Sequence, residues 1–321
     1  MNEKKNINLK EIFASAIQNH KKGNFQIAEK LYKEILNQDS NHLQSTVLLG
    51  TLSGQTKNFN LAKQLLLKAI KINPNYAEAH YKLGIILKEL GEIQEAISCY
   101  EKAIEINPNY VGAHNNIGNL LRKSGKVEKA LCCFKKAIEI NPNDADVYNN
   151  LGNCYEELKD LKKAISCYEK AIEINPNYVD AYNNLGIAFK NFGKVQKAIN
   201  CYKKTIQLQS NHVDAYNNLG LAFKELGEIQ EAISCYEKAI EINSNYVLAY
   251  NNLGLAFREL GELKKASSYY EKALNLDPNS EEICEGYGDL LLKLNMHIKA
   301  LTYIKKGTGF ICFTQKDVKI I

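Results

Sequence analysis

The chain has no tryptophan, only two methionines and only five prolines in 321 residues, and its charge is nearly balanced, with 41 basic against 36 acidic side chains. A net charge of +5 on this length gives no polyanion-binding field without local clustering, so nucleic acid is not the expected partner. No stretch approaches about 18 uninterrupted apolar residues, which argues against a membrane-spanning helix. The opening residues, MNEKKNINLKEIF, lack the apolar core of a secretion signal, so the expected location is cytoplasmic. Nine cysteines are present, but no CxxC and no ligand-spaced Cys/His cluster. There is no phosphate-binding glycine loop, no HExxH and no nucleophile elbow. Neither catalysis within this chain, nor a metal, nor a cofactor is expected.

What is present is a period. AYNNLG ends at Gly186, Gly220 and Gly254, and VYNNLG at Gly152, each 34 residues from the next. With Ala77 as position 1, units begin at residues 9, 43, 77, 111, 145, 179, 213 and 247, and a degenerate ninth at Glu281. Position 8 is glycine in every unit but the first, which has Ala16, and position 20 is alanine throughout, from Ala28 to Ala300. Position 24 is aromatic in most units, as at Tyr100, Phe134, Tyr202 and Tyr236. All five prolines stand at position 32: Pro74, Pro108, Pro142, Pro176 and Pro278. Residues 88–107 and 224–243 are identical, which points to internal duplication.

Apolar residues at positions 4, 7, 8 and 11 (Tyr182, Leu185, Gly186, Phe189) follow the spacing of one helix face, and positions 20, 24 and 27 mark a second helix. Small residues at 8 and 20 let the two helices approach closely. Glycine at position 15 (Gly91, Gly125, Gly193, Gly227, Gly261) suits the left-handed residue that ends the first helix. Lys57, Lys159 and Asn295 replace it, so those turns are expected to be looser or differently built. The residue before each proline avoids the α region, which stops the second helix. Five cysteines recur at one register (Cys99, Cys133, Cys167, Cys201, Cys235). Stacked units lie about 8–10 Å apart, too far for disulfides, which need Cα atoms within about 7 Å. They read as small, partly buried apolar residues.

In spacing and residue type these positions resemble the tetratricopeptide repeat over residues 9 to 307. The resemblance implies an all-α, right-handed superhelical solenoid of eight repeats plus the degenerate ninth, with the first helix of each pair on the concave face. Residues 1–8 are then an N-terminal extension. The tail, 308–321, breaks the repeat with two short strand-like runs and is expected to cap the last apolar face, as repeat arrays require. Units 1 and 2 fit less well, with Ser15, Asn19 and Ser53 at positions apolar elsewhere, and are expected to fray first.

On the first helix, positions 2, 5, 6, 9, 12 and 13 are expected to share the groove face. Position 6 supplies Asn116, Asn150, Asn184, Asn218 and Asn252. Position 5 supplies Asn115, Asn149, Asn183, Asn217 and Asn251, and position 9 adds Asn119 and Asn153. An asparagine side chain has a carbonyl acceptor and two N–H donors, the complement of a peptide group. A ladder of them can hold an extended polypeptide by its backbone, or can bond to the neighbouring repeat and be structural. The O-linked N-acetylglucosamine transferase family, which this repeat resembles, grips acceptor peptides with an asparagine ladder at position 6. Position 12 is mostly basic (Lys88, Arg122, Lys190, Lys224, Arg258), position 13 often acidic (Glu89, Glu157, Glu225, Glu259), and position 2 gives Asp146, Asp180 and Asp214. This mixture favours a polypeptide over nucleic acid. The chaperone-tail clamp of some relatives needs Lys and Arg at positions 2, 5 and 6, where the repeats hold Asp and Asn, with Lys82 an exception. His80 and His114 occupy position 4, where other units have tyrosine, and are expected to be packed rings.

The expected function is a protein-interaction scaffold binding an extended segment of a protein partner in the groove, with Lys190, Lys224 and Arg258 flanking the amides. The alternatives are a substrate-recruiting module of a modifying enzyme whose catalytic domain has no room before Ile321, and, more remotely, an RNA-binding helical array. The sequence does not fix an oligomeric state.

Overall fold

A computed structural model describes the backbone of residues 2–308, 311–313 and 318–320, and the side chains of residues 9–307. These residues fall into two compact units, 1–158 and 159–321. The first contains α1 (Asn2–Lys21), α2 (Phe25–Gln38), α3 (Leu43–Gln55), α4 (Phe59–Ile72), α5 (Ala77–Glu89), α6 (Ile93–Ile106), α7 (Val111–Lys123), α8 (Val127–Ile140) and α9 (Ala145–Glu157). The second contains α10 (Leu161–Ile174), α11 (Val179–Asn191), α12 (Val195–Leu208), α13 (Val213–Glu225), α14 (Ile229–Ile242), α15 (Val247–Glu259), α16 (Leu263–Leu276), α17 (Glu281–Lys293) and α18 (His297–Thr308). Helix α1 already begins at Asn2, so residues 2–8 continue the first helix.

Each helix pair is assembled in the same way. An ideal Cβ on Gly84, Gly186 or Gly220 would lie 2.5 Å from Cε1 of Tyr100, Tyr202 or Tyr236. The absence of that atom lets the ring lie flat on the first helix, and all three rings are fully buried. Ala96, Ala198 and Ala232, at position 20, are also fully buried at the helix contact. The pair then ends on an extended residue such as Asn107 or Asn243, whose side-chain Oδ1 accepts the N–H two residues on, at 3.1 and 3.0 Å. Asn243 adopts this turn without a following proline, so the asparagine contributes to the stop as well as the ring.

The turns at position 15 correct one expectation. The glycines there have φ between 75° and 80°, and Lys57, Lys159 and Asn295 have φ of 62°, 61° and 58°. The turn is therefore the same, built under strain where the side chain is lysine. Replacing Lys159 with glycine is expected to raise stability by about 1 kcal/mol, since an L-residue in the left-handed region costs about that much. Urea titration checks this; a lower midpoint would contradict it.

Within each unit the first helices of successive pairs also touch: α3 with α5 and α7 with α9 in one, α11 with α13, α13 with α15 and α15 with α17 in the other. Successive second helices make no comparable contact among the described residues. The first helices therefore line the concave side of each unit. The second helices face outward, carrying exposed i,i+3 ion pairs such as Lys102–Glu105 at 2.9 Å and Lys170–Glu173 at 2.8 Å.

The worst-fitting residues of the first two repeats are satisfied locally. Ser53, almost fully buried, donates to the Leu49 carbonyl at 2.8 Å, and Asn19 donates to the Ser15 carbonyl at 2.9 Å. The tail departs from an all-helical chain. Its strands β1 (Ile311–Phe313) and β2 (Val318–Ile320) pair antiparallel with Ile311 opposite Ile320. The expected capping role of 308–321 depends on side chains outside the described residues.

Candidate functional site

Five consecutive first helices, α7, α9, α11, α13 and α15, carry the amides. Asn150 Nδ2 donates to Asn115 Oδ1 at 3.0 Å in one unit. In the other, Asn218 Nδ2 donates to Asn183 Oδ1 at 3.3 Å and Asn252 Nδ2 to Asn217 Oδ1 at 2.8 Å. Each bond joins position 6 of one repeat to position 5 of the repeat before it, 35 residues away. At the end of the series Asn251 Nδ2 donates to Glu282 Oε1 at 3.0 Å. At the start, position 5 is Tyr81, whose hydroxyl is pushed up by burial and eased back by a hydrogen bond with Asn116.

The two amide positions are thus not equivalent, which corrects the expectation that both face the groove. Asn149, Asn217 and Asn251 at position 5 are buried, at 6, 4 and 4% exposure. Asn116, Asn150, Asn184, Asn218 and Asn252 at position 6 are half-buried, as are Asn115, Asn183, Asn119 and Asn153. Position 5 lies on the flank where one first helix meets the next. Asn115, Asn183 and Asn217 are held there as acceptors for the following repeat, and Asn251 as a donor to it. Position 6 donates one N–H to that bond. The Oδ1 atoms of Asn150, Asn218 and Asn252 accept no hydrogen bond from the described residues.

The charged positions make a second seam with the same offset. Arg122 pairs with Glu157, and Lys224 with Glu259 at 2.9 Å, again position 12 with position 13 of the next repeat. His20 and Gln55 repeat that contact, Nε2 to Oε1 at 2.8 Å. Arg258 approaches Asp289 at 3.8 Å and the Gly286 carbonyl at 3.4 Å. Lys190 forms no ion pair among the described residues. At position 2, Asp214 accepts the Tyr246 hydroxyl at 2.6 Å, and burial followed by that carboxylate drives the Tyr246 pKa up.

Position 9 differs among the amide-bearing helices. It is Asn119 and Asn153 in α7 and α9, but Ile187, Leu221 and Leu255 in α11, α13 and α15, all half-buried. The sequence reading overlooked these three apolar side chains, although their 34-residue spacing was available to find them.

The remaining chemistry-bearing residues serve the fold. His80 and His114 hold the Pro74 and Pro108 carbonyls through Nε2, both at 2.9 Å. His42 and His212 accept the Ser45 and Ala215 N–H groups as helix caps. The described cysteines are free. Burial pushes the Cys167 and Cys235 thiols up to about 11 and Cys201 up to about 12, which leaves them poor nucleophiles. Among the described residues no group of His, Cys, Asp and Glu could hold a metal ion, and no helix is long and apolar enough to cross a membrane.

Profiles described as tetratricopeptide repeat match residues 77–110, 145–178, 99–131, 177–245 and 211–279, and one described as TPR repeat matches 55–91 and 118–159. No curated protein matches the chain. Among solved structures, the APC/C hetero-tetramer Cut9-Hcn1 aligns with a TM-score of 0.64 at 17% identity, over 87% of this chain and 55% of that one. The pilF protein of Pseudomonas aeruginosa aligns at 0.59 and 20% identity, over 68% and 97%. YrrB, described as a TPR protein with an unusual peptide-binding site, aligns at 0.49 and 25% identity, over 57% and 95%.

Proposed function

The chain belongs to the tetratricopeptide-repeat family, and from that premise we propose that it is a protein-interaction module whose concave face holds an extended polypeptide through the position-6 amides. The observation that carries this reading is the asymmetry of the amide ladder. One N–H of Asn150, Asn218 and Asn252 is tied to the preceding repeat, which fixes the side chain while its Oδ1 stays open on a half-buried concave surface. An amide so anchored accepts a guest backbone N–H at a lower ordering cost than a freely rotating one. Peptide groups recur along any extended chain, so this contact selects conformation rather than sequence. Acids interleaved with bases beside the ladder disfavour nucleic acid, whose phosphates need an unbroken basic track.

The offset bonds supply a test with an internal control. Asn183→Ala with Asn217→Ala breaks the same two hydrogen bonds as Asn218→Ala with Asn252→Ala. Both doubles should lose about 1–3 kcal/mol of stability, the cost of stranding a partly buried partner. The position-6 double should weaken peptide binding by about tenfold, and the position-5 double by less, since it frees the guest-binding amides but leaves them in place, with peptides selected from a displayed random 12-mer library and measured by fluorescence anisotropy below the unfolding range. Equal binding by both doubles would assign the ladder to the fold alone.

A further inference from the structure

The seam between positions 12 and 13 is interrupted between the second and third repeats. Position 12 there is Gly54, so Glu89 at position 13 of the next repeat has no base opposite it and pairs with its own neighbour Lys88 at 3.0 Å. Gly54 also stands where an ideal Cβ would meet Ile86 Cδ1 at 2.5 Å. Beside this contact lies a cleft of about 390 Å³ on the concave side of the first unit. Phe59, Leu66, Ile85 and Ile86 form its apolar lining, Lys57 and Lys82 stand at its margin, and Glu89, its charge met by Lys88, completes the rim. Neither lysine makes an ion pair among the described residues.

We propose that this cleft receives a bulky apolar side chain, phenylalanine or leucine, of the bound polypeptide, and that Lys57 and Lys82 receive an aspartate or glutamate next to it. The proposal rests on the groove reading above and gives it a sequence preference. Size and lining favour an apolar anchor: the cleft is at the small end of ligand sites, room for one or two side chains. Charge complementarity names the neighbour, because two unpaired ammonium groups beside an apolar floor favour a carboxylate. The carboxylate is a side chain rather than a chain terminus, since first helices continue the concave face on both sides of the cleft, at α1 and α7.

The test uses the full chain and fluorescein-labelled, C-terminally amidated 12-residue peptides, identical but for a central Phe-Asp, Ala-Asp, Phe-Asn or Phe-Lys. Phe-Asp should bind about tenfold tighter than Ala-Asp, as expected for burying one aromatic side chain, and several-fold tighter than Phe-Lys. The double variant Lys57→Glu, Lys82→Glu should reverse the order of Phe-Asp and Phe-Lys. The neutral double, Lys57→Gln with Lys82→Gln, should bind Phe-Asp and Phe-Asn equally. If all four peptides bind the wild type equally, or the charge reversal leaves the order unchanged, the cleft is no anchor and the groove reading stands. If neither these peptides nor any from a random library bind, both readings fall.

Discussion

Tyr236→Ala is expected to lose about 3–5 kcal/mol of stability, the range for deleting a large buried aromatic. The ring is fully buried against Gly220, with Ala232, Ala239 and Leu253 in the same core cluster. Gly220, Ala232 and Ala239 around the ring have no side chain long enough to fill the space. Tyr236→Phe separates ring from hydroxyl. That hydroxyl reaches no protein partner, so its removal should change stability by less than about 1 kcal/mol. Gly220→Val tests the same contact from the other side. Its Cβ would fall 2.5 Å from Tyr236 Cε1, and overpacking of this kind costs about 1–3 kcal/mol or more. Stability in stacked repeats is a sum of nearest-neighbour terms, so hydrogen exchange should show the loss concentrated in α13 to α16. A loss for Tyr236→Ala below about 1 kcal/mol would mean that the ring contact is not what holds a helix pair together.

The second large effect is alkaline unfolding. Burial pushes Tyr32 and Tyr270 up to about 12 from 10.0, and raises Tyr100 and Tyr236 further still. The Cys201 thiol rises to about 12 from 9.0 for the same reason. A phenol or thiolate is charged only when deprotonated, so a raised pKa means that the unfolded chain releases protons before the folded one. Stability is therefore complete below about pH 9 and declines as pH climbs through the unfolded values toward the folded ones. At pH 11 each of these four tyrosines, all fully buried, forfeits about 1 kcal/mol, and together they approach the total stability of an ordinary domain. Thermal melts from pH 7 to 11.5, followed by circular dichroism, should show a flat profile and then a steep fall. A melting temperature that stays level through pH 11.5 would contradict this.

Helix bounds were legible in the sequence because three punctuating residues carry them. Glycine at position 15, asparagine at the end of the second helix and proline after it each restrict the backbone locally, whatever surrounds them. Lys57, Lys159 and Asn295 show the limit of that reasoning: the stacked neighbours impose the left-handed turn even where the residue resists it. The amides were half legible. Their recurrence pointed to the concave helices, but burial at position 5 was hidden, because asparagine gives no apolar signal and its partner lies 35 residues away in the next repeat. The cleft could not be foreseen from one repeat alone. It lies where Gly54 of one repeat meets Ile86 of the next.

The constant offset between neighbouring first helices bears on how such a gene changes length. Removing 34 consecutive residues from the central repeats, wherever the cut falls, again sets each surviving position-6 asparagine 35 residues after a position-5 asparagine. Slippage or unequal crossing-over between near-identical copies, such as residues 88–107 and 224–243, would therefore yield shorter or longer proteins that still fold. The reach of the guest they accommodate would change in fixed increments.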